Sequence, residues 1–185
     1  MEKVDLGRVI QQSIARFNQN RRGARPLVFA TLSASATGVP WSGGTLQKLI
    51  SQALYESLFS ANPEMAVEIS LRRRHGLKDL EAFVRVQPSY WVQLRISGRG
   101  LRPDEHLMED LFAQAGYRCE EWVGTENAEP KLGIFGPARG SGSKLVFCLE
   151  SRRALLRCDF LLPVTEDAQP DCTVTDERPL AGHQV

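Results

Sequence analysis

Two glycines separated by one residue, Gly98 and Gly100, follow the run VQLRIS of residues 92–97, in which apolar and polar residues alternate. A strand that ends in Gly-x-Gly brings its backbone close to another group, and that group is often a nucleotide. The pattern alone is weak evidence for phosphate binding, because the same glycines can serve a tight exit from a strand. The first chemical question is whether these glycines form a working nucleotide loop.

The histidines and cysteines indicate little other chemistry. His75 lies in an Arg-His-Gly turn, His106 lies among acids early in a predicted helix, and His183 is near the C-terminus. The cysteines form no Cys-x-x-Cys pair and have no histidine at ligand spacing, which argues against zinc; they are Cys119, Cys148, Cys158 and Cys172. Because no Gly-x-Ser-x-Gly elbow precedes a predicted helix, a hydrolase triad is not indicated either. We assign no catalytic residue.

Composition places the chain among ordinary globular proteins. Its 185 residues are 42% hydrophobic and 24% charged, with a formal net charge of +1. This charge provides no strong field toward nucleic acid or a membrane, and Arg72–Arg74 is interpreted as a solvated strand end. No apolar run approaches the 20 residues of a membrane span. We expect a cytoplasmic protein with free thiols, one domain over residues 1–164 and a flexible polar tail over 165–185.

Apolar periodicity predicts three helices that position these residues. The first is capped by Asp5 and ends near Asn20, the second covers Thr45–Ser60, and the third follows the capping residue Asp104. Alternating or apolar runs predict strands, at PLVFATLSA, MAVEISLRRR, LEAFVRVQP, YWVQLRIS, YRCEEWV, KLGIF, KLVFCLES and ALLRCDFLLPV. The element order predicts an α+β fold, a two-layer sandwich with helices on one face of a mixed sheet.

One tryptophan is predicted to lie on the side of that sheet without helices. Trp91 alternates with the inward set Val92, Leu94 and Ile96, so it points to the opposite face. An exposed tryptophan is a common anchor for a protein partner. The sequence leaves two alternatives open for Trp91, an interface or partial burial under a loop.

Over most of residues 4–163 the layout resembles the ATP-binding catalytic domain of sensor histidine kinases, which shares its fold with gyrase-type and Hsp90-type ATPases. The helix segment QALYES, from Gln52 to Ser57, is similar to the asparagine box of that family. LRISGRGL resembles its first glycine box, Asp-x-Gly-x-Gly and an apolar residue, with Gly98, Gly100 and Leu101 matching. CDFLLPV resembles the last strand of the family, which often ends in Leu-Pro.

The sequence departs from the family at three parts of the ATP site. Ile96 stands where the resemblance expects the aspartate that accepts a hydrogen bond from adenine, and Glu56 stands at the position of the asparagine that holds Mg²⁺. Glu56 shares a helix face with Gln52, and a carboxylate can bind Mg²⁺. The resemblance also implies a glycine-rich lid over the phosphates after the first glycine box, and here a helix starts near Pro103 and Asp104 instead. GSGSKL, with Gly140 and Gly142, is the other candidate for this lid.

These departures lead to three hypotheses. The first is a degenerate, catalytically silent domain that binds a signalling protein, either a response regulator or a sensor kinase. Its vestigial nucleotide cleft would include Gln52, Glu56, Ile96, Gly98 and Gly100, and it would need no cofactor. The second is an active or weakly active kinase domain that binds Mg-ATP, with Glu56 as metal ligand and a lid rebuilt from residues 124–143. The third, which the charge disfavours, is a nucleic-acid-binding regulator that uses Arg72, Arg73, Arg74 and Arg85. A homodimer is compatible with the first two.

Overall fold

A computed structural model describes residues 3–20, 23, 25–41, 44–85, 87–101, 104–124, 130–139, 143–152 and 155–165. The tail predicted beyond Thr165, which includes Cys172 and His183, lies outside these residues. The helices in the described ranges are α1 (Leu6–Asn20), α2 (Ala34–Thr37), α3 (Gly44–Ser60), α4 (Lys78–Val84) and α5 (Glu105–Gln114). The strands are β1 (Val4–Asp5), β2 (Leu27–Leu32), β3 (Gly38–Val39), β4 (Ala66–Arg74), β5 (Tyr90–Arg99), β6 (Tyr117–Val123), β7 (Lys131–Pro137), β8 (Leu145–Arg152) and β9 (Leu155–Val164).

Seven strands form one mixed sheet, in the order β2-β4-β5-β9-β8-β7-β6. β2 pairs in parallel with β4, and the other neighbours pair antiparallel. A second, two-stranded sheet joins β1 to β3. The α+β fold with a mixed sheet is therefore confirmed, and β5 lies inside the sheet between β4 and β9.

Helices α1, α3 and α5 pack on one face of the sheet because each carries an apolar stripe. The stripe predicted for α3 is buried as expected; its members are Leu46, Leu49, Ile50, Ala53, Leu54, Ser57 and Leu58. The predicted caps are also present, since Asp5 accepts a hydrogen bond from the Arg8 amide at 3.0 Å and Asp104 accepts one from the Leu107 amide at 2.8 Å. No helix in the described ranges is long and apolar enough to cross a membrane.

The segment predicted as the strand LEAFVRVQP is instead the helix α4. Leu77, Leu80 and Val84 are spaced three and four residues apart, so the segment fits a helical period as well as an alternating one. These three side chains pack in one apolar cluster, and Asp79 and Glu81 lie in the first turn, where negative charge favours a helix. β4 and β5 are consequently joined through this helix, and no strand in the described part of this segment forms a hairpin with the start of β5.

Trp91 is fully buried beside a helix, which corrects both alternatives that the sequence left open, an exposed interface anchor and partial burial under a loop. It lies on the sheet face away from α1, α3 and α5, together with Ile134, Val146 and Leu161, and α4 covers this group. Helices therefore lie on both faces of the sheet at this position. The two buried clusters are separated by the sheet, because Trp91 and Val92 are adjacent in β5 and point to opposite sides.

Candidate functional site

Ile96 occupies the centre of the sheet and is 0% exposed. It pairs with Ile69 of β4 and with Cys158 of β9, and all three side chains belong to the main apolar core. The strand positions Ile96 there because Val92, Leu94 and Ile96 share one face of β5. At residue 96 the side chain has no polar atom for a ligand. The backbone groups there already pair within the sheet.

The two glycines are accounted for by packing. Gly98 is still inside β5, where it pairs with Val67 and Leu156. Gly100 has a φ of +76°, and a Cβ at that position would lie 2.8 Å from the backbone nitrogen of Asn62, in the turn that follows α3. Any larger residue at 100 would be strained and would also collide with backbone. The turn that leaves β5 therefore needs glycine at position 100 whether or not a nucleotide binds.

Gln52 and Glu56 lie together on α3 and contact each other. The Gln52 amide Nε2 donates to the Glu56 carboxylate Oε1 at 2.9 Å. Gln52 is exposed and Glu56 is half-buried, on the side of α3 away from the buried stripe. The structure thus joins these two predicted site residues as a pair, while Ile96 and Gly98 belong to the sheet and Gly100 packs on Asn62.

The connection from β5 to α5 consists of residues 100–104 alone. Leu101 is buried, and Asp104 caps the helix. A helix N-terminus can bind phosphate through its free amides, but here the Asp104 carboxylate takes the Leu107 amide and Glu105 adds a second acid. Glu105 in turn forms an ion pair with Lys131. At the start of α5 a carboxylate therefore already occupies a free amide that a phosphate would need.

The segment considered as a rebuilt lid contains a strand. Residues 131–137 form β7, which pairs with β6 on one side and β8 on the other. A lid made from all of residues 124–143 is therefore wrong. Gly140 and Gly142 lie outside the described residues, and β8 begins directly after Lys144, as the sequence predicted.

An open cavity of about 1060 Å³ lies elsewhere, between the first turn of α3 and the end of α5. Its lining includes Trp41, Lys48, Tyr117 and Arg139. Burial raises the pKa of the Tyr117 phenol. Gly100 contacts Asn62 beyond the last turn of α3, and a helix of 17 residues is about 25 Å long, so the cavity is remote from the glycines. Sequence patterns missed it because it forms between segments distant in the chain.

Charged side chains form a ladder on the sheet face opposite α1, α3 and α5. Asp159, 6% exposed, accepts hydrogen bonds from Gln93 Nε2 at 2.9 Å and from the Arg95 guanidinium at 2.6 and 2.7 Å. The bond to Asp159 raises the pKa of Arg95. Glu150 accepts from Arg157 at 3.0 Å and pairs with Arg152 at 2.6 Å. These mutually paired charges hold strands together and leave no unpaired acid for metal binding within the ladder.

The cysteines in the described ranges are free thiols, as expected. Burial raises the pKa of Cys148 to about 12 and that of Cys158 to about 12, and burial also raises the pKa of Cys119. Because a thiolate is the reactive form, these thiols are poor nucleophiles at neutral pH. Among the residues that the structure describes, no group of three or more His, Cys, Asp or Glu side chains could hold a metal ion.

The arginine run divides between the two faces of β4. Arg72 and Arg74 are exposed, whereas the Arg73 guanidinium lies 3.5 Å from the ring centroid of Tyr90. Arg85 is exposed at the end of α4, with a φ of +55°. The four arginines proposed for nucleic-acid contact therefore do not form a single stripe, since neighbours in a strand point in opposite directions.

Comparisons with known proteins show similarity in fold to solved structures, and no match in sequence to a family model or a curated protein. The solved catalytic domain of the histidine kinase ThkA matches with a TM-score of 0.52 and 9% identity, over 90% of this chain and 100% of that one. Matches below a TM-score of 0.5 include the mycobacterial sensor histidine kinase MprB (0.47, 14% identity, 89% of this chain and 99% of that one) and the histidine kinase domain of the E. coli osmosensor EnvZ (0.46, 15%, 91% and 92%). The chain has the fold of a histidine kinase catalytic domain.

Proposed function

We propose that this chain is a histidine-kinase-type domain whose nucleotide site is degenerate and catalytically silent. We further propose that it acts in two-component signalling by binding a protein. The observation that carries the proposal is Ile96, which is 0% exposed at the position where the resemblance expects the adenine-binding carboxylate. A hydrogen bond to a charged group contributes about 1.5–3 kcal/mol, and isoleucine can supply none of it.

Two further observations support a degenerate nucleotide site. The chain passes from β5 to α5 in five residues, which leaves no room in that connection for a lid over phosphates. At the start of α5 the Asp104 carboxylate already accepts a hydrogen bond from the Leu107 amide, so a triphosphate would have to displace it. Each change weakens a different part of nucleotide recognition, namely the base, the lid and the phosphates, so the losses in affinity add.

The active alternative depends on Glu56. Its carboxylate could serve as a Mg²⁺ ligand, because hard cations prefer oxygen. In the structure this carboxylate is hydrogen-bonded to Gln52, and it would have to exchange that contact for the metal. Mg-ATP is the cofactor only in this alternative.

Binding to a signalling partner can be tested by calorimetric titration. The chain would be titrated with receiver domains of response regulators and with phosphoacceptor hairpins of sensor kinases from its own organism. We expect one of them to bind with the same dissociation constant in the presence and absence of Mg-ATP. The proposal is wrong if none binds, or if binding or phosphoryl transfer requires Mg-ATP.

A further inference from the structure

The outer edge of β2 lacks the protection that edge strands usually carry. Exposed edges are commonly blocked by charged side chains, prolines or bulges, because an open row of backbone groups invites pairing with another strand. The sequence of β2 is LVFATL and contains no charge and no proline. The strand at the other edge of the sheet, β6, carries Arg118, Glu120 and Glu121 and has a bulge between Cys119 and Glu121.

β2 also exposes large apolar side chains. Leu27 is 61% exposed and Phe29 is 55% exposed, the two highest values among the large hydrophobic side chains in the described ranges. Ala30 and Thr31 are exposed as well. Since successive side chains point to opposite faces of a sheet, exposure at three consecutive positions means that neither face is covered along this part of the strand.

We propose that β2 pairs antiparallel with β2 of a second copy of this chain, forming a homodimer through one continuous sheet. The sheet ends at β2 on this side, and no described strand pairs with its outer edge. The inference rests on this edge alone and is independent of the proposed function.

A symmetric pairing fits the side chains of β2. A two-fold axis perpendicular to the sheet brings the same face of both copies together, so residues of the same face must lie opposite each other. With the axis at Phe29, this ring meets Phe29 of the second copy, and Leu27 meets Thr31. Aromatic cross-strand pairs stabilise antiparallel sheets. The exposure of Ala30 indicates that the helix layer leaves room for a second strand at this edge.

The charges at this edge do not oppose a second copy as the occupant. The uncharged β2 presents no charged side chain that would select a differently charged partner or repel an identical strand. The nearest charge on the face of Phe29 is Glu68, its cross-strand neighbour in β4. In the dimer, the two Glu68 residues would be three strand spacings apart, about 14 Å. This exceeds the screening length of about 8 Å at physiological salt, so their repulsion is weak.

Sedimentation velocity over concentrations from low micromolar to near millimolar tests the proposal. We expect the wild-type chain to shift reversibly from monomer to dimer. Phe29→Lys and, separately, Thr31→Lys should weaken self-association at least about tenfold, since Phe29→Lys opposes like charges across the axis and Thr31→Lys removes the apolar contact with Leu27. Phe59→Lys is the matched control, because Phe59 is 45% exposed but lies on α3, and this variant should dimerise like the wild type.

Cross-linking locates the axis. Under mild oxidation, Phe29→Cys should form a disulfide-linked dimer, while Phe59→Cys, with the same native cysteines, should not. A wild-type chain that remains monomeric at every concentration would overturn the proposal. So would a dimer that Phe59→Lys disrupts and that both β2 variants, folded by circular dichroism, leave intact.

Discussion

Replacing Ile96 with aspartate is expected to lower the free energy of unfolding by about 4 kcal/mol or more. The side chain is 0% exposed between Ile69 and Cys158, so the new carboxylate would be desolvated among apolar neighbours. It would have to be protonated or to draw water into the core. Urea denaturation followed by circular dichroism measures the change.

The matched control for this site is Ile96→Val, which removes one methylene and should cost only about 0.5–1.5 kcal/mol. A similar small cost for Ile96→Asp would contradict the account. It would mean that residue 96 faces an open, wet cleft where a carboxylate is tolerated, as an adenine-binding position would be.

Replacing Trp91 with alanine is expected to cost about 3–5 kcal/mol of stability. The indole is fully buried between the sheet and α4, in contact with the cluster that includes Val84, Val146 and Leu161. Alanine would leave a cavity under a helix of seven residues, too short to be stable without packing. The midpoint of chemical denaturation reports this loss.

Trp91→Phe separates burial from hydrogen bonding. The Trp91 Nε1 atom is buried without a hydrogen-bond partner among the described residues, so phenylalanine removes an unsatisfied donor and keeps most of the apolar volume. We expect it to cost much less than alanine. If Trp91→Ala is nearly neutral for stability and instead abolishes binding to a protein partner, then the sequence-based interface hypothesis is right and the buried position is wrong.

Local periodicity predicted the fold where one pattern dominates. The stripe of α3 and the alternation of Val67, Ile69 and Leu71 in β4 each fit a single period, and these residues are buried; Ser70 is buried as well, on the other face of β4. The segment around Leu80 fits both periods, and tertiary packing on Trp91 decides for a helix. Trp91 was placed on the correct face, but its burial depends on α4, a helix that the sequence pattern did not predict.

The site was predictable to a similar degree. The alternation of Val92, Leu94 and Ile96 predicted that residue 96 is core, and a cap at Asp104 predicted the short connection to α5. The contact of Gly100 with Asn62 could not be predicted, because it depends on how β5 passes the turn after α3. The cavity beside Lys48 and Arg139 joins four segments and has no local signal.

The central claim is that the nucleotide site is degenerate and does not bind Mg-ATP. It is tested most directly by thermal unfolding with and without millimolar Mg-ATP. A ligand that binds the native state alone, at 100 times its dissociation constant, adds about 2.7 kcal/mol and would raise the melting midpoint by several degrees. We expect no shift for the wild type. We also expect Glu56→Ala to change stability by less than about 0.5 kcal/mol, since this carboxylate's described contact is one hydrogen bond to an exposed glutamine. A Mg²⁺-dependent rise that Glu56→Ala abolishes would contradict the account and establish an active nucleotide site.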